Sequence, residues 1–206
     1  MALFDGGVAY LAPGWNSFSR FTHIPDDPSS LRDAMATTMA RGRDGRHVWV
    51  GERQGRVDRL DPVTGQVEQV ISGLAGDVVG MTEDARHRLW VVVQGALYRD
   101  TDGRLDRVDP AGAMMQRPLE VEPGPDGQMY ARTFGQGLFR IDPETLAIHP
   151  VPMDGSSDKV RWGSQMTLHD GIFWYASDGG MMWLDTAQDR FVMVPGGPYG
   201  QSVDAF

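Results

Sequence analysis

Residues 43–62, RDGRHVWVGERQGRVDRLDP, hold a turn, an apolar run around an aromatic residue, a glycine-containing turn and a second apolar run. The same order recurs in three segments: 84–103 (DARHRLWVVVQGALYRDTDG), 125–143 (PDGQMYARTFGQGLFRIDP) and 169–186 (HDGIFWYASDGGMMWLDT). The central aromatics are 41, 40 and 44 residues apart, at Trp49, Trp90, Tyr130 and Trp174. Tandem units of about 40–45 residues with four short strands each are typical of a β-propeller. We therefore predict an all-β propeller, with a β-solenoid or a β-sandwich as the alternatives.

Each unit is predicted to contain four strands that differ in their exposure. Strand two is a continuous apolar run, as in 89–93 (LWVVV), which indicates burial on both faces between neighbouring blades. Strand four is half polar, as in 66–70 (QVEQV), which is typical of an outermost strand with one face in water. Asp-Gly pairs at 44–45, 102–103, 126–127 and 170–171 favour primed hairpin turns, because such turns need a positive φ.

A fifth unit is predicted to be split between the two ends of the chain. The first twelve residues, MALFDGGVAYLA, align with 174–185, WYASDGGMMWLD, and QSVDAF at 201–206 resembles the strand-one segment GSQMTL at 163–168. Pairing of the last strand with the first unit would complete a blade and remove an open sheet edge. We predict one domain over 1–206 with about five four-stranded blades, or else a five-blade segment of a larger propeller. The predicted blade units are 1–24 plus 201–206, 36–71, 77–108, 118–151 and 162–194.

Composition excludes several classes of function. The 206 residues include 28 acidic and 19 basic side chains, a net charge of −9, and no basic patch, so nucleic acid is not an expected partner. Disulfides and thiolate metal sites are excluded because the chain has no cysteine. We expect neither a metal nor a cofactor, since no HxH, HExxH or His–carboxylate cluster occurs. No apolar stretch reaches the length of a membrane span, and the N-terminal segment lacks the regions of a signal peptide.

Four segments of the repeat resemble the two-component regulator propeller family. Thr82-Glu83-Asp84 resembles the acidic start of that family's unit, and 47–52 (HVWVGE) its tryptophan core. The third strand is matched by 137–143 (GLFRIDP), and the most family-specific match is the loop at 21–31 (FTHIPDDPSSL). Two features depart from the pattern: the unit around Trp90 has ARH at 85–87 where the family has Asp-x-Gly, and Tyr130 replaces the tryptophan.

The resemblance implies a role and a location. Such repeats form the periplasmic, ligand-sensing part of bacterial hybrid histidine kinases or diguanylate cyclases, so the implied function is a non-enzymatic sensor domain within a larger membrane receptor. The chain contains no kinase or cyclase motif, and only the sensor role is carried over. A second resemblance, to streptogramin-lyase or lactonase-type propellers, rests on 51–70 (GERQGRVDRLDPVTGQVEQV). It implies an enzyme with a histidine, an acidic partner and often a divalent metal.

Residues that break the repeat are the candidates for function. In propellers, the turns between strands two and three and the loops between units share one face around the channel, where rigidly held loops bind ligands. The predicted ligand-binding residues are Arg53, Gln54, Gln94, Phe134, Gln136, Trp162, Asp178 and Tyr199. This mixture of aromatic, arginine and glutamine side chains suits a flat, polar small molecule, a saccharide or a peptide.

No residue is predicted to be catalytic. The histidines in or beside the turns between strands one and two, His47, His87 and His169, are interpreted as solvated turn residues. A scaffold whose blades support a homodimer or another protein contact is a further alternative.

Overall fold

The computed structural model describes residues 8–11, 18–109, 114–154 and 162–195. The strands in these ranges are β1 (Val8–Leu11), β2 (Phe18–Phe21), β3 (Ala36–Arg41), β4 (Val48–Glu52), β5 (Val57–Leu60), β6 (Val67–Ile71), β7 (Val78–Glu83), β8 (Leu89–Val93), β9 (Ala96–Thr101), β10 (Arg104–Arg107), β11 (Pro118–Pro123), β12 (Met129–Thr133), β13 (Leu138–Ile141), β14 (Ile148–Pro150), β15 (Gly163–His169), β16 (Ile172–Ser177), β17 (Gly180–Asp185) and β18 (Arg190–Met193). One 3-10 turn, Arg53–Gly55, is the sole helical element in the described ranges. No helix there is long and apolar enough to cross a membrane.

The strands form four antiparallel sheets of four strands, each in chain order: β3–β6, β7–β10, β11–β14 and β15–β18. Strand β1 pairs with β2 in a smaller sheet. The prediction of an all-β fold built from four-stranded propeller blades is confirmed, and the predicted first strands 36–41 and 78–83 coincide with β3 and β7. The proposed pairing of 201–206 with the first repeat, residues 1–24, lies outside the described residues.

The chain divides into two compact units, Met1–Gln94 with Tyr98–Asp106, and Gly95–Leu97 with Arg107–Phe206. In the first unit β3 lies beside β7, and the Thr37 hydroxyl donates a hydrogen bond to the Val78 carbonyl at 2.6 Å. In the second unit β11 lies beside β15, and the Met166 amide donates to the Glu120 carboxylate at 3.2 Å. Within each unit, successive blades therefore pack through their first strands. The single domain over 1–206 stays a prediction.

Apolar second strands supply much of the core. All five residues of β8 are buried, as its unbroken apolar run predicted. In the second unit the core is aromatic: Tyr130, Phe173, Tyr175 and Phe191 are all fully buried. The Phe173 and Phe191 ring centroids lie 5.0 and 6.2 Å from that of Tyr130, distances at which inclined rings attract each other. The rings form half of the buried cluster that packs the blades of this unit together, and the other half is Leu138, Met166, Met182 and Leu184.

The Asp-Gly turns are of two kinds. At 102–103 and 170–171 both residues have positive φ (51° and 82°, 50° and 76°), as a type I′ turn requires. At 44–45 and 126–127 only the glycine does, and the turn is longer: the Gly45 amide donates to the Gly42 carbonyl at 2.9 Å. The prediction of primed turns is therefore right for the first two pairs and wrong for the other two.

Candidate functional site

Three predicted site residues lie together in the first unit. The Arg53 guanidinium pairs with the Asp33 carboxylate at 3.1 Å. Gln54, in the left-handed region with φ +59°, donates its amide hydrogen to the Asp77 carboxylate at 3.1 Å. The Gln94 amide donates to the Asp77 carbonyl at 3.2 Å. The Asp33 and Asp77 carboxylates, which are not among the predicted site residues, therefore anchor the turn that carries Arg53 and Gln54, and the Asp77 backbone carbonyl holds Gln94.

In the second unit, Arg117, Phe134 and Trp162 form what we call the aromatic platform. The Phe134 and Trp162 rings meet edge to face, with centroids 4.8 Å apart and planes at 85°. Both residues are nearly half exposed, at 45% and 42%. The Arg117 guanidinium lies over the Phe134 ring, 4.1 Å from its centroid, in a cation–π contact. Two large aromatic side chains therefore stay partly exposed to solvent, although burying them would stabilise the folded protein.

The same backbone hydrogen bond recurs in three blades, and it positions the residues of the platform. In three blades the first amide after strand two donates to the carbonyl of the residue just before strand one: Gln94 to Asp77, Phe134 to Arg117, and Asp178 to Trp162, at 3.2, 3.1 and 2.7 Å. Arg117 and Trp162 therefore occupy equivalent positions in successive blades. Trp162, Phe134 and Asp178 are among the predicted site residues, whereas Arg117 is not, although its place directly before strand one is the signal that would have found it.

Two backbone features keep the platform in place. Arg117 has φ +48° and precedes Pro118, and this left-handed conformation costs a non-glycine residue about 1–2 kcal/mol. Gly135 has φ +82°, and a Cβ atom there would come within 3.0 Å of the Trp162 ring. The remaining predicted residue of this unit, Gln136, accepts a hydrogen bond from the Gln116 amide at 2.7 Å through its side-chain oxygen. Strain of this kind persists where the surrounding structure enforces it, and it clusters at functional sites.

The ligand-binding role of these residues stays a prediction. The structure gathers Arg53, Gln54 and Gln94 in the first unit, and Phe134, Gln136, Trp162 and Asp178 in the second. Tyr199 lies outside the described residues.

His47 is not the solvated turn residue that sequence analysis expected. It is only 8% exposed, with Nδ1 2.9 Å from Asp44 Oδ1 and Nε2 3.1 Å from Glu83 Oε1. The prediction was wrong because Glu83 is 36 residues away in sequence and reaches His47 from the neighbouring blade. His87 and His169 do have exposed side chains, as expected. Both ring nitrogens of His47 therefore face carboxylates inside the structure.

Glu83 is the centre of a buried network between the first two blades. Its carboxylate accepts hydrogen bonds from the Arg43 amide at 2.9 Å, from Trp49 Nε1 at 2.6 Å, and from the His47 ring. In the next two blades the anchor aromatic instead bonds an aspartate of its own turn: Trp90 donates to Asp84 and Tyr130 to Asp126. The first blade therefore depends on its neighbour for a partner that the other two supply themselves.

Comparison with known proteins defines the fold. No family model matches the chain, and no curated protein matches it. Among solved structures, the extracellular domain of a hybrid two-component system from B. thetaiotaomicron superposes on 96% of this chain with a TM-score of 0.65 at 13% identity, and this chain spans 27% of it. A catalytically inactive virginiamycin B lyase from Staphylococcus aureus, with quinupristin, gives 0.67 over 95% at 14% identity, with 73% of that chain covered.

A streptogramin B lyase structure is similar as well, with a TM-score of 0.66 over 92% of this chain and 60% of that chain, at 16% identity. Identities this low show the fold alone. The chain has a β-propeller fold, and the solved structures that share it include the extracellular domain of a hybrid two-component system, as the resemblance of the repeats implies.

Proposed function

We propose that this chain is a ligand-binding propeller that acts as part of the extracytoplasmic sensor of a bacterial signalling receptor, and that it is not an enzyme. The observation that carries the proposal is the aromatic platform, where Phe134 and Trp162 stay exposed beside a strained Arg117. The likeness to an extracellular two-component domain supports the location. This chain spans about a quarter of that domain, so the statement that it belongs to a larger signalling receptor is itself proposed.

The chemistry of the platform suggests the class of ligand. Exposed aromatic rings offer apolar faces to a flat molecule, and they lose little conformational entropy on binding. A guanidinium stacked on a ring keeps its N–H donors in the plane, where they can bond to carbonyl, hydroxyl or carboxylate oxygens. A saccharide or a peptide fits this combination of stacking and donation.

We expect Trp162→Ala to weaken binding at least tenfold, which corresponds to about 1.4 kcal/mol, because a central aromatic anchor contributes this much or more. An oligosaccharide array and a peptide array, probed with labelled protein, would supply the ligand, and calorimetry would measure its affinity for each variant. Ile172→Ala is a matched control, since this residue is similarly exposed, at 40%, but lies outside the platform. Equal affinity of the wild type and Trp162→Ala would count against the site.

Arg117→Gly is expected to separate binding from stability. Glycine relieves the left-handed strain at φ +48°, and this gain offsets the lost cation–π contact and the greater freedom of the unfolded chain. The free energy of unfolding should therefore change by less than about 1 kcal/mol in urea titrations, while affinity for the ligand falls at least tenfold. A much larger loss of stability would show that Arg117 serves the fold rather than a ligand.

The alternative is a streptogramin-lyase or lactonase-like enzyme, which the superpositions on two lyase structures favour to a similar degree. The described residues contain no cluster of three or more histidine, aspartate, glutamate or cysteine side chains that could hold a metal ion. Incubation with quinupristin and Mg²⁺, followed by liquid chromatography, distinguishes the two functions. Consumption of quinupristin would establish the enzyme and refute the non-enzymatic proposal, whereas an unchanged peak supports the sensor.

A further inference from the structure

Two carboxylates in the first unit are buried without a full set of partners. Glu52, the last residue of β4, and Asp58, in β5, are both fully buried. Neither Glu52 carboxylate oxygen accepts a well-formed hydrogen bond, and Asp58 Oδ1 accepts none. The other Asp58 oxygen accepts from the Arg32 amide at 2.9 Å. Carboxylates left this way normally destabilise a core.

The repeat shows that the fold does not need a carboxylate at either position. Glu52 corresponds to Thr133 and Ser177, whose hydroxyls donate to the carbonyls of their own turns at 2.9 and 2.8 Å. Asp58 pairs with Val50 as Phe139 pairs with Ala131, so that the other blade has a buried ring where this one has a carboxylate. At the positions of Glu52 and Asp58, other blades therefore have hydroxyl and apolar side chains, and the fold does not require an acid at either.

The charges around Glu52 oppose its ionisation. Besides burial, the charges of Asp58 in β5 and of Asp33 before β3 raise the pKa of Glu52, whereas the Asp33 backbone amide and the Arg56 charge lower it by less. Arg56 is shared, since it and Arg53 both pair with Asp33, at 3.7 and 3.1 Å. Burial, and then the Asp58 charge, raise the pKa of Glu52 to about 8, and burial also raises the pKa of Asp58. At neutral pH Glu52 therefore holds its proton.

The turn that follows Glu52 is tightly fitted to the structure around it. The Glu52 amide donates to the Arg56 carbonyl across the turn at 2.9 Å, and Gln54 is tied to Asp77 from the β7 side. At Gly55, φ is +63° and a Cβ atom would come within 2.2 Å of the Leu74 carbonyl oxygen. A movement of the Glu52 side chain therefore acts on the backbone that carries Arg53 and Gln54.

We propose that Glu52 and Asp58 form a proton-dependent latch on the turn Arg53–Gly55. The protonated pair holds the turn in the conformation described. Loss of the proton places two like charges in a buried space. Their mutual repulsion, and the hydration that the charged carboxylates gain on exposure, favour opening of the turn. The latch is a property of the free protein and does not depend on which ligand the propeller binds.

The raised pKa sets the direction of the effect. Between the ordinary value of 4.5 and about 8, the folded protein keeps the Glu52 proton while the unfolded chain has lost it. Stability therefore falls as pH rises through this window, and the full stabilisation is present below it.

Urea unfolding of the whole chain from pH 5 to pH 9 tests the latch. We expect the unfolding equilibrium constant of the wild type to rise more than tenfold between pH 5 and pH 8, and Glu52→Gln to remove most of this rise. Glu68→Gln is the matched control, because its side chain is 72% exposed and the same chemical change there should leave the rise intact. An equal rise in Glu52→Gln would overturn the proposal.

Two further measurements cover the case in which Glu52→Gln does not fold. Asp58→Asn removes the like charge that raises the pKa of Glu52 most. The latch therefore requires that the midpoint of the stability change move to lower pH in this variant. Hydrogen exchange of 53–55 in the wild type, corrected for the intrinsic effect of pH, should accelerate at least fivefold from pH 6 to pH 9. An unmoved midpoint, or unchanged exchange, refutes the latch.

Discussion

Glu83→Ala is expected to lower the free energy of unfolding by about 3–5 kcal/mol, the usual cost of removing one partner from a buried charged network. The substitution leaves the Trp49 Nε1 hydrogen and the Arg43 amide without their acceptor, and it leaves the His47 ring beside Asp44 alone. It also opens a cavity between the first two blades, because Glu83 is only 3% exposed. Urea titration at pH 7 would measure the loss.

The size of this loss depends on hydrogen bonding as well as on packing. Glu83→Gln preserves the shape and one acceptor oxygen, so it should cost less than the alanine variant. Glu68→Ala, at an exposed position, should change stability by less than about 0.5 kcal/mol. If Glu83→Ala were as mild as Glu68→Ala, the network would not be what joins these blades.

Phe173→Ala is expected to cost about 3–5 kcal/mol as well, as large aromatic truncations in a core do. The Phe173 ring is fully buried, with its centroid 5.0 Å from that of Tyr130 and 5.9 Å from that of Phe191. Both neighbours lose ring contacts when it is removed, and rigid strands on either side prevent the space from closing. Thermal or urea unfolding would report the change.

The preceding residue gives a direct control for this prediction. Ile172 is 40% exposed in the same strand, so Ile172→Ala should cost less than about 1 kcal/mol. Similar losses for the two variants would contradict the assignment of Phe173 to the core.

Much of the fold follows from short-range patterns in the sequence. The run at 89–93 predicts a strand buried on both faces because no polar residue interrupts it, and all five residues are buried. The two turns at 44–45 and 126–127 differ from the prediction because the loop includes earlier residues, as the bond from Gly45 to Gly42 shows. Asp-Gly favours a positive φ at the glycine, but the length of the loop decides whether the turn is primed.

The candidate site was predicted in part, because only some of its determinants are local. Trp162 and Phe134 stand out in sequence as aromatics in loops, where no core needs them. Their edge-to-face contact joins residues 28 positions apart, and Arg117 shows no motif other than its place before a strand. His47 was misinterpreted as solvated for the same reason, since Glu83 reaches it from 36 residues away, and Glu52 was missed because its burial is not visible in the local sequence.

The central claim is that the aromatic platform binds the ligand. Hydrogen exchange of the wild type, with and without the tightest-binding oligosaccharide or peptide from the arrays, tests it most directly. We expect slower exchange on binding in the segments 114–118, 133–137 and 162–164, which carry Arg117, Phe134 and Trp162. Protection confined to other segments, with these three unchanged, would contradict the account.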